Sequence, residues 1–483
     1  MSQKISGKIK VEGTLTAVTP LSVGGLGTGE HVDLELAEDG TGQCYVPGTS
    51  LAGPMRSWLE RRLPQGSELS NSIFGYINQK GDGGKASLIY ISDSPVANAV
   101  KERRHGISIQ DSTGTSLTGA FYTRALLPKG TQLKLKIELD VIKKNYPDGH
   151  PAGALALILE ALCAGKIRFG ACKTRGMGEM KLEDLKLNFY DFAGDDTALD
   201  LWLDGQDARK HGIDALNEFA RPSLKPERTF VISIPWRPVS PLMVKSGRDG
   251  IEADMLPLTS SVDDANIAPV IPGSSLKGIF RYQARKILNT LFEFDAKYNV
   301  DENPIIEDLF GSKNRAGRLM IDDVYYQKSV DHEGWLTENI DTLNSVTERH
   351  QHVAIDRFTG GASERALYSA RPVNNMAGWE PIRMTLDESN AVSDENIKKE
   401  QALIKLLLRD FKDGYMPIGF GSRRGLGEIE TGDIDYGAEF PDDFELQPAW
   451  DGFINSGGKN FDVKIIDKDG QAAAGTANGD EQQ

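Results

Sequence analysis

The sequence predicts a two-domain α+β protein, and three observations carry that expectation. One long stretch occurs twice, alternating apolar and polar runs mark strands in both copies, and each copy closes with a helical pattern. The first copy, residues 19–56, reads TPLSVGGLGTGEHVDLELAEDGTGQCYVPGTSLAGPMR; the second, residues 240–281, reads SPLMVKSGRDGIEADMLPLTSSVDDANIAPVIPGSSLKGIFR. Thr19, Pro20 and Leu21 correspond to Ser240, Pro241 and Leu242, and Asp33 corresponds to Asp254 at the same offset. Pro47 and Gly48 correspond to Pro272 and Gly273 after a short insertion. A chain of 483 residues has room for two to four domains at roughly 100–200 residues each, and the duplication selects two.

Composition narrows the function classes. With 39% hydrophobic and 26% charged residues, each half can bury a core. A net charge of −15 argues against a protein that coats nucleic acid indiscriminately, so an RNA- or DNA-binding role requires local clustering of the 55 Lys and Arg residues. The longest aliphatic run, residues 154–164 (ALALILEALCA), contains Glu160, is too short to span a bilayer, and predicts a buried helix. The N-terminal MSQKISGKIK has no apolar signal core, and a cytosolic protein with no membrane partner is expected. Cys44, Cys163 and Cys172 form no CxxC pair and so suggest neither a disulfide framework nor a zinc site.

In chain order, residues 8–23 alternate as a half-buried strand does, and the glycine-rich loop 24–30 lacks the spacing of a nucleotide-binding loop. The segment YVPGTS then leads into a helix over 51–62. Thr49 or Ser50 is expected to cap it, and the free amides behind Gly48, Thr49 and Ser50 make an anion site that recurs at Gly273, Ser274 and Ser275. Phe74-Gly75 and Phe310-Gly311 are matching landmarks ahead of strands at 86–93 and 318–323, with the two Phe rings as core anchors. HGISIQDSTGTSLTGAFYTR from His105 and HVAIDRFTGGASERALYSAR from His352 share one order of residue types, and such polar segments between strands often carry function.

Helices at 152–165 and 396–413 close the halves. They are followed by IRFGACKTRGMGEMKL and IGFGSRRGLGEIE, in which Gly170, Gly176 and Gly178 match Gly421, Gly425 and Gly427. Lys173 and Arg175 answer Arg423 and Arg424; glycines interleaved with cations suit close approach of a phosphate chain, and equally a turn into a final strand at 179–187.

Taken together, VPGTSL and IPGSSLKG before a helix, the Phe-Gly pair, the DRFTGGA-like segment and the FGSRRGLGE-type loop resemble the repeat-associated mysterious protein (RAMP) superfamily of CRISPR systems. More narrowly, they resemble backbone subunits of type III effector complexes, here as two copies fused in a type III-D-like arrangement. The resemblance covers most of residues 7–190 and 229–432.

It implies two tandem ferredoxin-like, RNA-recognition-type β-α-β-β-α-β domains with thumb insertions, expected at 98–148 and 325–353. It also implies partners: a CRISPR RNA, a complementary single-stranded target RNA, neighbouring backbone subunits, and the large and small subunits of the complex. The implied activity is cleavage of the target RNA, and the matching positions for the required aspartate are Asp33 and Asp254. Each would serve as a base on a 2′-hydroxyl or as a ligand for a divalent ion, Mg²⁺ or Mn²⁺. RNA-contacting positions carried by the resemblance are Gly48, Thr49, Ser50, Arg56, Lys173, Arg175, Gly273, Ser274, Ser275, Lys277, Arg281, Arg357, Arg423 and Arg424. The first copy departs from the pattern at Ala52, where the second keeps Lys277. Two other readings stand beside this one: a non-catalytic scaffold of the same complex, and an endoribonuclease that processes CRISPR RNA. His31 is read as an exposed loop residue.

The expected organisation is a first domain over 1–192, a linker over 193–228 packed on a domain, a second domain over 229–440, and an extension over 441–483 that is disordered from Gly470.

Overall fold

The structure, a computed structural model, describes residues 4–25, 32–78, 83–110, 113, 115–143, 146–247, 250–291, 303–364, 366–374, 378–389, 394–437, 440–441, 446 and 448–449. His31, residues 26–30 of the glycine loop and the tail from Gly470 lie outside the described residues. Contacts divide the chain into two units. The first comprises Met1–Arg228, Val244–Ile271 and Tyr325–Asn374, and the second comprises Thr229–Met243, Pro272–Val324 and Asn375–Gln483. Residues 244–271 and 325–374, which the second copy inserts into its own core sequence, therefore fold with the first half.

The first unit is built on β1 (Ile5–Ala17), α1 (Gly48–Arg62), β2 (Ile89–Ile91), β3 (Glu102–Gly106), β4 (Tyr122–Leu126), β5 (Gln132–Ile142), α2 (Pro151–Cys163), β6 (Met180–Tyr190) and β7 (Lys210–His211). Its sheet runs β7-β6-β1-β5-β2, every pair antiparallel. Without the edge strand β7, this is the 4-1-3-2 order of a ferredoxin-like domain, with α1 and α2 as the two connections. Alternation along β1 buries Ile9, Val11, Leu15 and Ala17 on one face. Against that face lie Leu51, Met55, Trp58 and Leu59 of α1 and Leu155, Ile158, Leu159 and Leu162 of α2, each such side chain contributing about 1.5–3 kcal/mol. The 154–164 run is thus the buried helix its composition predicts.

α2 begins on a device the sequence did not advertise. His150 accepts a hydrogen bond from Ala152 N at Nδ1 (3.1 Å), and its Nε2 lies 2.9 Å from Ile142 O. The first contact requires a bare Nδ1, so Nε2 carries the proton and the ring is neutral; burial holds its pKa below the usual histidine value. Residues 193–228 do pack on this half: β7 extends the sheet and Leu216 is fully buried in its core.

The second half supplies, in order, β8 (Thr229–Ile234), β9 (Trp236–Pro238), α3 (Gly273–Leu291), β10 (Leu319–Ile321), β11 (His350–His352), β12 (Tyr368–Ala370), β13 (Ile382–Asp387), α4 (Asp394–Lys412) and β14 (Ile429–Thr431). β11 and β12 pair as a hairpin and belong to the first unit. The remainder repeats the β-α-β-β-α-β order, with its first strand split at Pro235: β8 pairs with β13, and β9 with β14. Proline has no amide hydrogen for a ladder; its carbonyl instead accepts from Gly432 N at 2.8 Å. Phe280 of α3 packs on Phe411 of α4 with ring centroids 5.3 Å apart, both fully buried.

The observed hairpins have other bounds than the expected insertions. In 98–148 the hairpin is β3 and β4, while β5 is a core strand. The span 325–353 ends just past β11, before its partner β12, so the second hairpin runs on to Ala370. Polar, glycine-containing segments carry no periodicity to mark a strand return. Among the described residues no helix is long and apolar enough to cross a membrane.

Candidate functional site

The duplicated landmarks are joints, buried in the first copy and half-buried in the second. In the first half the Thr19 hydroxyl accepts from Glu179 N (2.9 Å) and the Pro20 carbonyl from Gly178 N (2.8 Å). In the second, Ser240 accepts from Glu428 N (2.9 Å) and Pro241 from Gly427 N (2.9 Å). These bonds also correct the alignment of the loops. Ala171 N binds Ser22 O just as Phe420 N binds Met243 O, so Gly170 answers Gly419 rather than Gly421. Cys172, at φ +55°, stands where the second copy has Gly421 at φ +76°. Arg175 then answers Arg424, but Lys173 answers Ser422 and Thr174 answers Arg423. A left-handed backbone costs a residue with a Cβ about 1–2 kcal/mol, so Cys172→Gly is expected to raise stability by about 1 kcal/mol. An unchanged urea midpoint would count against that reading.

From these loops Arg175, Arg423 and Arg424 are exposed. Arg175 donates to the Tyr122 hydroxyl (3.3 Å), and Arg424 lies over the Phe420 ring at 4.7 Å. Lys173 is half-buried, and burial, aided by Arg61, holds its pKa below the usual lysine value.

Asp33 and Asp254 occupy one architecture built twice. Both are exposed, and each lies beside the return strand of its hairpin. Asp33 accepts from Thr123 N (2.7 Å) and donates its own amide to Thr123 O (3.1 Å). Asp254 accepts from Ser369 N (2.7 Å) and the Ser369 hydroxyl (3.0 Å). The next residues continue the match, since Leu34 bridges Arg124 in parallel and Met255 bridges Ala370 likewise. The amide and hydroxyl of Ser369, with a smaller contribution from Arg349, hold the Asp254 carboxyl below the usual range. Each carboxylate is anchored through one oxygen, Oδ2, so its position is fixed before any ligand arrives. Among the described residues no three His, Cys, Asp or Glu side chains gather as a metal site.

Neither Thr123 nor Ser369 was singled out by sequence, although each directly follows the tyrosine of its tract, Tyr122 or Tyr368. The same holds for His105, whose Nδ1 lies 3.0 Å from the Thr123 hydroxyl and whose ring stacks on Phe121. The register sets His105 opposite Thr123 but Gln351 opposite Ser369, so the histidines that open the two segments are offset by one residue and are not counterparts.

The helix starts differ from expectation. Pro47 is the N-cap of α1, no side chain caps from Thr49 or Ser50, and the Gly48 amide donates to Asp93 (2.8 Å). The Gly273 amide donates to Asp323 in the same way (2.8 Å). Thr49 and Ser274 are exposed and Ser50 and Ser275 half-buried, but the charge a phosphate would bring to the Gly amide is already supplied by a carboxylate.

Two arginines of the helices also have partners within the protein. Arg56 donates to the Gly75 carbonyl (3.0 Å) and Asn71 (2.7 Å), and Arg281 to the Gly311 carbonyl (3.0 Å), tying each helix to its Phe-Gly turn. Lys277 is 6% exposed and donates to Leu319 O at 2.7 Å, so its ammonium is turned inward. Arg357, by contrast, is exposed at the end of the second hairpin. There Asp356 accepts from Phe358 N (2.9 Å) and Thr359 N (2.8 Å), shaping a turn that leaves Phe358 fully exposed.

Comparison with known proteins agrees with this duplicated geometry. The family model described as "RAMPs: RAMP superfamily" matches residues 14–181 and 237–430. The chain is also similar to the CRISPR system Cms endoribonuclease Csm3 of Streptococcus thermophilus, with 31% identity over 159 residues, covering 32% of this chain and 67% of that protein.

Proposed function

The chain belongs to the RAMP superfamily, and on that premise we propose that it is a backbone subunit of a type III CRISPR effector complex that cleaves target RNA. In this reading it binds a CRISPR RNA and the complementary target, beside neighbouring backbone subunits and the large and small subunits. The observation that carries the reading is the twice-built carboxylate: Asp33 on Thr123 and Asp254 on Ser369, each exposed next to a hairpin. The endoribonuclease named among its relatives supports the same chemistry.

RNA phosphates would meet the exposed Arg175, Arg357, Arg423 and Arg424, because an acidic chain can bind RNA only where its cations are concentrated and unburied. The hairpins, with Phe121 and Phe358 exposed, serve as thumbs that splay the target. A splayed nucleotide brings its 2′-hydroxyl in line with the adjacent phosphorus. The 2′-oxygen then attacks phosphorus, the bond to the 5′-oxygen breaks, and the products are a 2′,3′-cyclic phosphate and a 5′-hydroxyl.

The hydrogen bonds from Ser369 lower the Asp254 carboxyl and so weaken it as a proton acceptor, which at this site favours a charge-positioning or metal-ligand role over general base. With no cluster of three ligating side chains among the described residues, a divalent ion such as Mg²⁺ or Mn²⁺ would complete its shell from RNA phosphates and water, the usual habit of Mg²⁺. When bound, such an ion supplies Lewis-acid stabilisation of the developing charge. The test is cleavage of end-labelled, guide-matched RNA by the assembled complex. The Asp33→Ala, Asp254→Ala double variant is expected to cut about 100-fold more slowly or less, as should wild type under chelation, with target affinity retained. Undiminished cutting by the double variant would leave a binding scaffold.

A further inference from the structure

Glu338 is a strained residue in the first unit. It follows the short helix His332–Leu336 and has φ +52°, a left-handed conformation that a helix end normally assigns to glycine or asparagine. Its side chain is also out of character, since a glutamate only 4% exposed is rare without partners. Its partners include two consecutive backbone amides of the loop that leads into Asp254, and the buried Arg371 adds an opposite charge nearby. Ile251 N donates to both carboxylate oxygens (2.9 and 2.8 Å), and Glu252 N donates to Oε2 (2.6 Å).

The loop is otherwise lightly held. Ile251 is 87% exposed, Gly250 N binds Ala253 O at 3.1 Å, and Ala253 is buried, so the chain turns tightly just before the aspartate. Ser369 fixes the carboxylate of Asp254, while nothing in that contact fixes the two peptides ahead of it. A carboxylate clamped on successive amides does so, and a strained backbone persists where surrounding contacts over-determine it.

We infer that Glu338 is a positioning residue for RNA cleavage at the second site, latching the 250–253 turn so that Asp254 is presented in one orientation; the inference rests on the proposed cutting role of Asp254. Its direct contact is with the loop backbone, not with RNA. Glu338→Gly removes the latch together with the left-handed strain, and Glu338→Gln, which keeps an acceptor at the two amides, separates loss of the latch from loss of fold.

In the assembled complex, Glu338→Gly is expected to slow single-turnover formation of the product lost in Asp254→Ala by about 10- to 100-fold. Target affinity and the product lost in Asp33→Ala should stay unchanged. Glu338→Gln, which still accepts from both amides, should restore most of the rate, and hydrogen exchange at Ile251 and Glu252 should quicken in Glu338→Gly alone. An unchanged Asp254-dependent product overturns the assignment, as does an equal fall in both products. Persistent protection of the two amides in Glu338→Gly overturns it even if the wild-type complex cuts nothing, the outcome that would instead sink the cutting role of Asp254.

Discussion

Alanine at Gly178 or Gly427 is expected to destabilise the unit that carries it by about 3–5 kcal/mol, enough to abolish soluble expression. Two penalties add there. Each glycine has φ near +80° (+85° and +78°), which costs any residue with a Cβ about 1–2 kcal/mol. Each also lies directly against a carbonyl: the added Cβ would overlap the Phe169 oxygen in the first copy and the Ile418 oxygen in the second. Relief would require breaking the bonds from Gly178 N to Pro20 O or Gly427 N to Pro241 O, which dock the repeat landmark on the loop. Gly425 is the control, because it has φ +83° but open space around a Cβ. Gly425→Ala should cost only about 1 kcal/mol. Equal urea midpoints for Gly425→Ala and Gly427→Ala would show that the close approach has no weight.

A second large effect is expected at the charge cluster under α4. Arg318 donates to Asp308 (3.2 Å) and to Glu400, while Arg315 also binds Asp308. Glu400 is fully buried and Arg318 only 8% exposed. Removing the shared cation by Arg318→Met leaves the Asp308 carboxylate to Arg315 alone and the Glu400 carboxyl without its donor, a change expected to cost about 3–5 kcal/mol above about pH 8, where Glu400 is ionised, and less at neutral pH. Glu400 itself behaves unlike a paired carboxylate. Burial, reinforced by Asp308 and Glu388, outweighs the pull of Arg318 and pushes its pKa from 4.5 up to about 8. Because the folded value exceeds the unfolded one, the associated stability is complete below about pH 4.5 and is lost as pH rises through about 8. The urea midpoint of the wild type should therefore fall between pH 6.5 and 8.5, and that fall should be absent in Glu400→Gln. Parallel pH profiles would contradict a raised value.

The α+β class and the duplication were legible because they reside in local pattern: alternation along β1, the apolar run of α2, and landmarks whose spacing is set by short turns. The aspartates were legible as a pair for the same reason, since Asp33 and Asp254 keep their offset from Thr19 and Ser240. What holds them was not legible. Thr123 and Ser369 reach the carboxylates across long loops, and the carboxylates at the helix starts, Asp93 and Asp323, come from turns that follow strands well downstream. A hydroxyl next to a helix start is a sound local reason to expect a cap at Thr49 or Ser50, yet a tertiary partner took the place. The glycine loops misled by two positions because Cys172 occupies a left-handed site that pattern reserves for glycine. Arg56, Arg281 and Lys277 carry charge that reads as surface, whereas burial and carbonyl partners show each serving its own fold as well.

Two equivalent cutting carboxylates in one chain are the central proposal. The most direct measurement is the product pattern of a 5′-labelled, guide-matched target on a denaturing gel, with complexes carrying Asp33→Ala, Asp254→Ala or both. Each single variant is predicted to lose one product and keep the other, and the double variant to lose both while still binding the target. Retention of every product in the double variant would contradict the account and place the cutting residues elsewhere in the complex.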